Sequence, residues 1–202
     1  MKLVKAIRAR RSLRLALVGA GGKTTAMFQL AHQMEPPVLV SASTHLGIEQ
    51  ARSADAHFIL VSPVKAAELK SRLVDGVNLF TGPVSDDNRT NGLADIELEI
   101  LHQLADELAC PLMVEADGSR RLPLKAPAVH EPPIPPWVNT VAVVVGLSGL
   151  GMLLTAKTVH RAERFAAVSG AEMGKPVTML SIMRALTHPQ GGLKIYRRVL
   201  GR

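Results

Sequence analysis

Apolar and polar positions follow two rhythms along this chain, and each rhythm predicts an element type. Short runs that are apolar on both faces occur at residues 13–18, 38–41, 57–61, 112–114 and 141–145. They read as strands, buried on both sides. Between them apolar residues recur every three or four positions. Residues 23–34 place Met27, Leu30, Ala31 and Met34 on one helical face. From Gly92 onward, Leu93, Ile96, Ile100, Leu104 and Leu108 mark an apolar stripe, with Asp95, Glu97, Glu99, Asp106 and Glu107 on the wet side. Pro111 cannot continue that helix, so a strand follows at once. Residues 158–168 and 177–186 read as two more helices. Buried strands interleaved with amphipathic helices predict an α/β fold, a mainly parallel sheet with helices on both faces.

Two stretches imitate membrane segments. Lys2, Lys5, Arg8, Arg10 and Arg11 precede an apolar run, as in an export signal. Arg14 interrupts that run, leaving fewer apolar residues than the roughly 7–15 a signal core requires. Residues 138–156 carry no charge, but Gly146, Ser148, Gly149 and Gly151 break them up. A strand followed by a glycine-rich turn fits better than a membrane span. The expectation is a cytoplasmic protein with no membrane partner. The proline-rich run 123–136 reads as a structured loop.

Length and composition narrow the class. Two hundred and two residues suit one domain, and 47% apolar with 20% charged residues is ordinary globular usage. One cysteine, Cys110, excludes an internal disulfide and a cysteine-based zinc cluster. The formal charge of +7 suggests nucleic acid, yet six aromatic residues offer few stacking platforms. The charge is also uneven. Residues 1–14 hold six basic side chains and 184–202 hold five, with no acid in either; the rest holds 13 basic against 17 acidic residues, a net of −4. The flanks read as solvated tails or as a docking patch for an acidic partner, and nucleic acid is not the expected ligand.

The sharpest chemical signal is Gly19-Ala20-Gly21-Gly22-Lys23-Thr24-Thr25, between a strand and a helix. Glycines let backbone amides curl toward phosphate oxygens, and the helix N-terminus adds partial positive charge. Lys23 then reaches the outer phosphates and Thr24 offers its hydroxyl to Mg²⁺. The longer form of this loop would carry a further glycine where Leu17 stands, so this is a shortened version. A phosphate loop needs a carboxylate at a neighbouring strand end. The segment 111–118 supplies Glu115 and Asp117 at alternate positions after an apolar strand. Lys23, Glu115 and Asp117 are the candidate catalytic residues, and Thr24, Glu115 and Asp117 the candidate metal ligands. Arg120 and Lys125 follow in a proline-stiffened loop, then His130 and Glu131. Arg120 and Lys125 could neutralise phosphate or an anionic substrate, or belong to an ordinary surface loop. Taken singly, His45 and His160 read as packing histidines.

The order of these segments resembles a known family. The loop 19–25, Ser43-Thr44-His45, Glu115-Ala116-Asp117-Gly118, the segment 123–127, His130-Glu131-Pro132, Val145-Gly146-Leu147 and His160-Arg161 are similar to the YqeC family of selenium-dependent hydroxylase accessory proteins, over residues 13–195. The resemblance implies one P-loop NTPase-like nucleotide-binding domain over 1–202, with a basic flank at 1–12. It implies an ATP- or GTP-binding accessory protein serving maturation of selenium-dependent molybdenum hydroxylases beside selenium and molybdenum cofactor maturation proteins. The reaction is read from the loop and its acids instead, as that of an Mg²⁺-dependent nucleoside triphosphatase or nucleotide switch. His45, Arg120, Lys125, His130, Glu131, His160 and Arg161 would line the substrate or partner side. Two features depart from the pattern. Ser41-Ala42-Ser43 replaces threonines that usually precede Thr44-His45, and the chain ends at Arg202 where another strand and helix would be expected, so its C-terminal end reads as short.

Two other classes remain open at this level. The short loop also resembles that of Mur-type ligases, which couple an acyl phosphate to an amine but need separate acceptor and C-terminal domains. A non-enzymatic basic binding module would bind in a strongly salt-dependent way, indifferent to Mg-ATP.

Overall fold

The computed structural model describes residues 2–61 and 65–194. In chain order the elements are α1 (Leu3–Ala6), β1 (Arg14–Ala20), α2 (Lys23–Ala31), β2 (Val38–Ala42), β3 (Leu46–Gly47), α3 (Ile48–Ala51), β4 (Ala56–Ile59), α4 (Ala66–Lys70) and β5 (Val77–Thr81). There follow β6 (Val84–Ser85), β7 (Arg89–Thr90), α5 (Asp95–Glu107), β8 (Leu112–Glu115), β9 (Leu124–Lys125), β10 (Thr140–Val145), β11 (Val159–His160), α6 (Ala162–Ser169) and α7 (Met179–Thr187). The fold is α/β. A six-stranded sheet in the order β10-β1-β8-β2-β5-β4, mainly parallel, is flanked by helices. β2 pairs in parallel with β5 on one side and β8 on the other, and β5 with β4.

The chain divides into two compact units. The first holds Met1–Ala16, Thr24–Ala116 and Pro135–Thr140; the second holds Leu17–Lys23, Asp117–Ile134 and Val141–Arg202. β1 therefore begins in the first unit and ends in the second.

In the first unit the centre of the sheet is dry. Every residue of β2, β5 and β8 is buried, because neighbouring strands and helices cover both faces. Asn78, a polar residue inside β5, is accommodated because its amide bonds to Val74 N, Val74 O and Gly76 O at 2.9–3.0 Å. Phe80 of β5 stacks on Phe58 of β4 with ring centroids 5.1 Å apart. β4 closes the sheet, and Ile59 and Val61 at its end are 49% and 71% exposed. The edge position corrects the reading of 57–61 as doubly buried.

α5 forms where its periodicity and first-turn acids Asp95 and Glu97 place it, with Ala94 N donating to Glu97 Oε2 at 2.7 Å. Its buried face is Leu98, Leu101, Leu104 and Ala105, while Ile96 is 66% exposed. Of the expected stripe, Leu93 just before the helix and Leu104 are buried, Ile100 and Leu108 are half-buried and Ile96 faces water, so the buried face is rotated about the helix axis. The helix carries apolar residues over more than half its circumference, and packing on β2, β8 and α4 selects the face.

The second unit has its own core of Leu124, Ala126, Leu154, Val159, Phe165, Val168, Val177 and Ile182. α6 packs against α7, and the two-residue strands β9 and β11 pair in parallel, Lys125 beside His160. Residues 158–168 are thus not one helix. Val159 and His160 join β9, Arg161 adopts a left-handed conformation at φ 61°, and α6 starts after it. β10 is half-buried rather than fully buried, because it lies at the other sheet edge. The proline-rich loop is ordered: Leu124 and Ala126 lie in the core. Among the described residues, no helix is long and apolar enough to cross a membrane.

The N-terminal flank is anchored to the fold although Lys2, Lys5, Arg8, Arg10 and Arg11 are exposed. Val4 N donates to Gln33 Oε1, Arg11 pairs with Glu35 at 2.9 Å, and Arg14 is 5% exposed, bonded to Cys110 O and paired with Asp106. At the other flank, Arg197, Arg198 and Arg202, with the C-terminal end read as short, lie outside the described residues.

Candidate functional site

The candidate residues sit where strands end. The loop that follows β1 turns at Gly21 and Gly22 into α2, whose Met27, Phe28, Leu30 and Ala31 are buried. Apolar spacing explains the helix, and two consecutive positive-φ glycines explain its abrupt start.

Within the second unit, the loop is packed on one side and open on the other. A Cβ on Gly19 would stand 2.3 Å from Val144 O, and one on Gly21 2.6 Å from Gly146 Cα and 2.7 Å from Pro123 O. Gly146 N donates to Pro123 O at 3.2 Å, so Gly146 and Pro123 buttress the loop from behind. At Gly22, among the described residues other than its chain neighbours, no atom lies within 4 Å of the corresponding point. Lys23 is 4% exposed, and its Nζ donates to Gly19 O at 3.1 Å. In the sequence Gly146 stood out as a glycine after a β-branched run and within the segment Val145-Gly146-Leu147; its role as backing appears with the fold.

The same unit gathers five of the charged candidates. Gly19 N donates to Asp117 Oδ2 at 3.3 Å, and Lys125 binds the other oxygen. Lys125 also donates to Gly118 O at 2.7 Å and pairs with Glu131 at 2.9 Å. Arg161 grips Glu131 with two hydrogen bonds of 2.7 Å. Burial works against ionisation of Glu131, but the Arg161 and Lys125 bonds outweigh it and hold its carboxyl at about 2. His160, half-buried beside Lys125, has its pKa lowered by burial first and then by Arg161, Lys125 and Arg120. Arg120 is exposed with φ 53°, and His130 is exposed.

Within the first unit, Thr24 Oγ1 donates to Glu115 Oε2 at 2.6 Å, and both residues are buried. Ser43 N donates to Glu115 O at 3.0 Å, which ties the end of β2 to the end of β8. His45 is exposed, and its carbonyl accepts from Arg89 Nη2 at 2.9 Å. Gly92 backs this turn, since a Cβ there would meet Ser43 C at 2.3 Å. His45 thus belongs to a different unit from Lys125, His130 and His160. Among the described residues no three His, Cys, Asp or Glu side chains converge as a ready metal cage. A hydroxyl and one carboxylate do suit Mg²⁺, which takes hard oxygen ligands and keeps water and phosphate in the remaining positions.

Comparison with known proteins places the chain in a family. The family described as YqeC protein matches residues 15–163. A protein of Escherichia coli (strain K12), named Uncharacterized protein YqeC, is 30% identical over 186 residues, covering 89% of this chain and 70% of that protein. No solved structure matches. With the family matched over most of the chain and a relative of this identity aligned over most of both proteins, the chain belongs to the YqeC family.

Proposed function

We propose that this protein binds a nucleoside triphosphate with Mg²⁺ on the loop 19–25 and hydrolyses it, as a P-loop accessory factor in maturation of selenium-dependent molybdenum hydroxylases. The observation that carries the reading is the one-sided packing of the loop. Gly19 and Gly21 are wedged against Val144, Gly146 and Pro123, while Gly22 faces empty space. Gly151 and Gly174 are also left-handed and uncovered; what sets Gly22 apart is its place directly before the first turn of α2, where helix N-terminal amides can receive phosphate oxygens.

On this reading the backbone amides of the loop beyond Gly19, with Lys23, receive the phosphate oxygens and stabilise the charge that develops during transfer. Thr24 and Glu115 would hold Mg²⁺, which when bound supplies positive charge against the phosphates. Glu115 is already oriented by its bond from Thr24. Family membership is what directs the reading toward hydroxylase maturation, with the maturation proteins as partners.

A thermal-shift panel of ATP, GTP, CTP and their diphosphates, with and without Mg²⁺, tests the nucleotide step. A ligand at a hundredfold excess over its Kd adds about 2.7 kcal/mol of stability. The triphosphates are expected to raise Tm only with Mg²⁺, and Lys23→Ala to remove that rise while keeping the native circular dichroism. A full shift in Lys23→Ala would refute the assignment. Loss of selenium, but not molybdenum, from a hydroxylase made without this protein would support the accessory role.

A further inference from the structure

Lys125 looks by type like a substrate ligand, but its geometry points elsewhere. An ammonium has three N–H donors. Here the three acceptors are Asp117 Oδ1, Gly118 O and Glu131 Oε2, and the side chain is 1% exposed. No donor remains for a ligand. Asp117 is similarly committed: Lys125 occupies one oxygen and Gly19 N the other, with the side chain 4% exposed. Glu131 is filled by Lys125, Ala128 N and both Arg161 nitrogens.

The alternation of charge from Arg161 through Glu131 and Lys125 to Asp117 therefore ends on a backbone amide of the glycine loop. We propose that these four residues form a positioning chain that ties down the start of the loop at the Gly19 amide, with Lys125 a positioning residue and Asp117 the anchor of the loop rather than a metal ligand. The proposal rests on the loop being the phosphate site. It divides the two acids of the strand end by role: Glu115 serves the hydroxyl of Thr24, and Asp117 serves the loop. A buried ion pair left half-broken is costly, so the chain holds its geometry only while complete.

The test reads the loop without nucleotide first. Amide hydrogen exchange at Gly19 is measured in the full-length protein and in Lys125→Met, Glu131→Gln and Lys125→Arg. Lys125→Met and Glu131→Gln are expected to speed exchange at Gly19 about tenfold, and Lys125→Arg to restore protection. The Mg-ATP thermal shift, measured in parallel, should shrink in the first two and return in the third. Unchanged exchange at Gly19 in either disrupting variant overturns the proposal. So does a lost nucleotide shift with protection intact, which would make Lys125 a direct ligand. Should Lys125→Met not fold, Glu131→Gln, which keeps the side-chain volume, decides alone. A wild-type protein without any nucleotide shift defeats the function proposed above, while Gly19 exchange still decides the chain.

Discussion

A single methyl group separates the glycines of the loop. On Gly19 or Gly21 it would collide with backbone, Val144 O and Gly146 Cα respectively, and backbone cannot swing aside as a side chain can. Gly21→Ala is expected to cost about 1–3 kcal/mol, the usual price of a strained non-glycine conformation held by its surroundings. Gly22→Ala meets no atom, so its cost is limited to the left-handed backbone, about 1 kcal/mol, while its methyl intrudes where phosphate is proposed to lie. Urea unfolding of the two variants, with and without Mg-ATP, separates the effects: Gly21→Ala lowers stability more, and Gly22→Ala loses more of the nucleotide shift than of the stability. Cys110 makes a second expectation at this scale. It is fully buried and its thiol is pushed up to about 11, chiefly by burial. Because the thiolate is the reacting form, a thiol reagent should modify it only in denaturant.

Among the elements, α5 shows what periodicity can and cannot determine. Its apolar residues cover so much of the helix that several faces satisfy the spacing, and only contact with β2, β8 and α4 excludes all but one. Leu101→Ala should therefore cost about 2–5 kcal/mol, as for other fully buried leucines. Ile96→Lys, at a position 66% exposed, should stay within about 0.5 kcal/mol. Equilibrium denaturation checks both. β11 teaches the complementary lesson. Val159 and His160 lie on a helical spacing, yet pairing with β9 satisfies their backbone and leaves Arg161 free to turn its guanidinium onto Glu131.

For the whole molecule, the N-terminal excess of positive charge stays mostly at the surface. Lys2, Lys5, Arg8, Arg10 and Arg11 are exposed, and of the N-terminal cations Arg14 alone is buried, paired with Asp106. The buried charges of the second unit give stability a pH dependence with a definite sign. Glu131 titrates at about 2 in the fold against an ordinary 4.5. Its ionised form stabilises the fold above about pH 4.5, and that contribution is lost as the pH falls from there to about 2. Glu131→Gln should remove this segment of the acid-unfolding curve and leave the slope above pH 5 unchanged.

What the sequence determined by itself is local. The strand and helix alternation, the glycine loop at a strand–helix junction and the acids at a strand end follow from periodicity, glycine conformational freedom and side-chain chemistry, all carried by neighbours in the chain. β5 escaped that reading because Asn78 and Thr81 interrupt its apolar run, and only the bonds that satisfy Asn78 make it a central strand. The allocation of charges likewise came from the tertiary structure. Lys125 is eight residues from Asp117 and Arg161 thirty from Glu131, and nothing in their spacing says which will meet. Burial decided it: a charge removed from water must find a partner within hydrogen-bonding distance, and only the packed chain sets which partner is there.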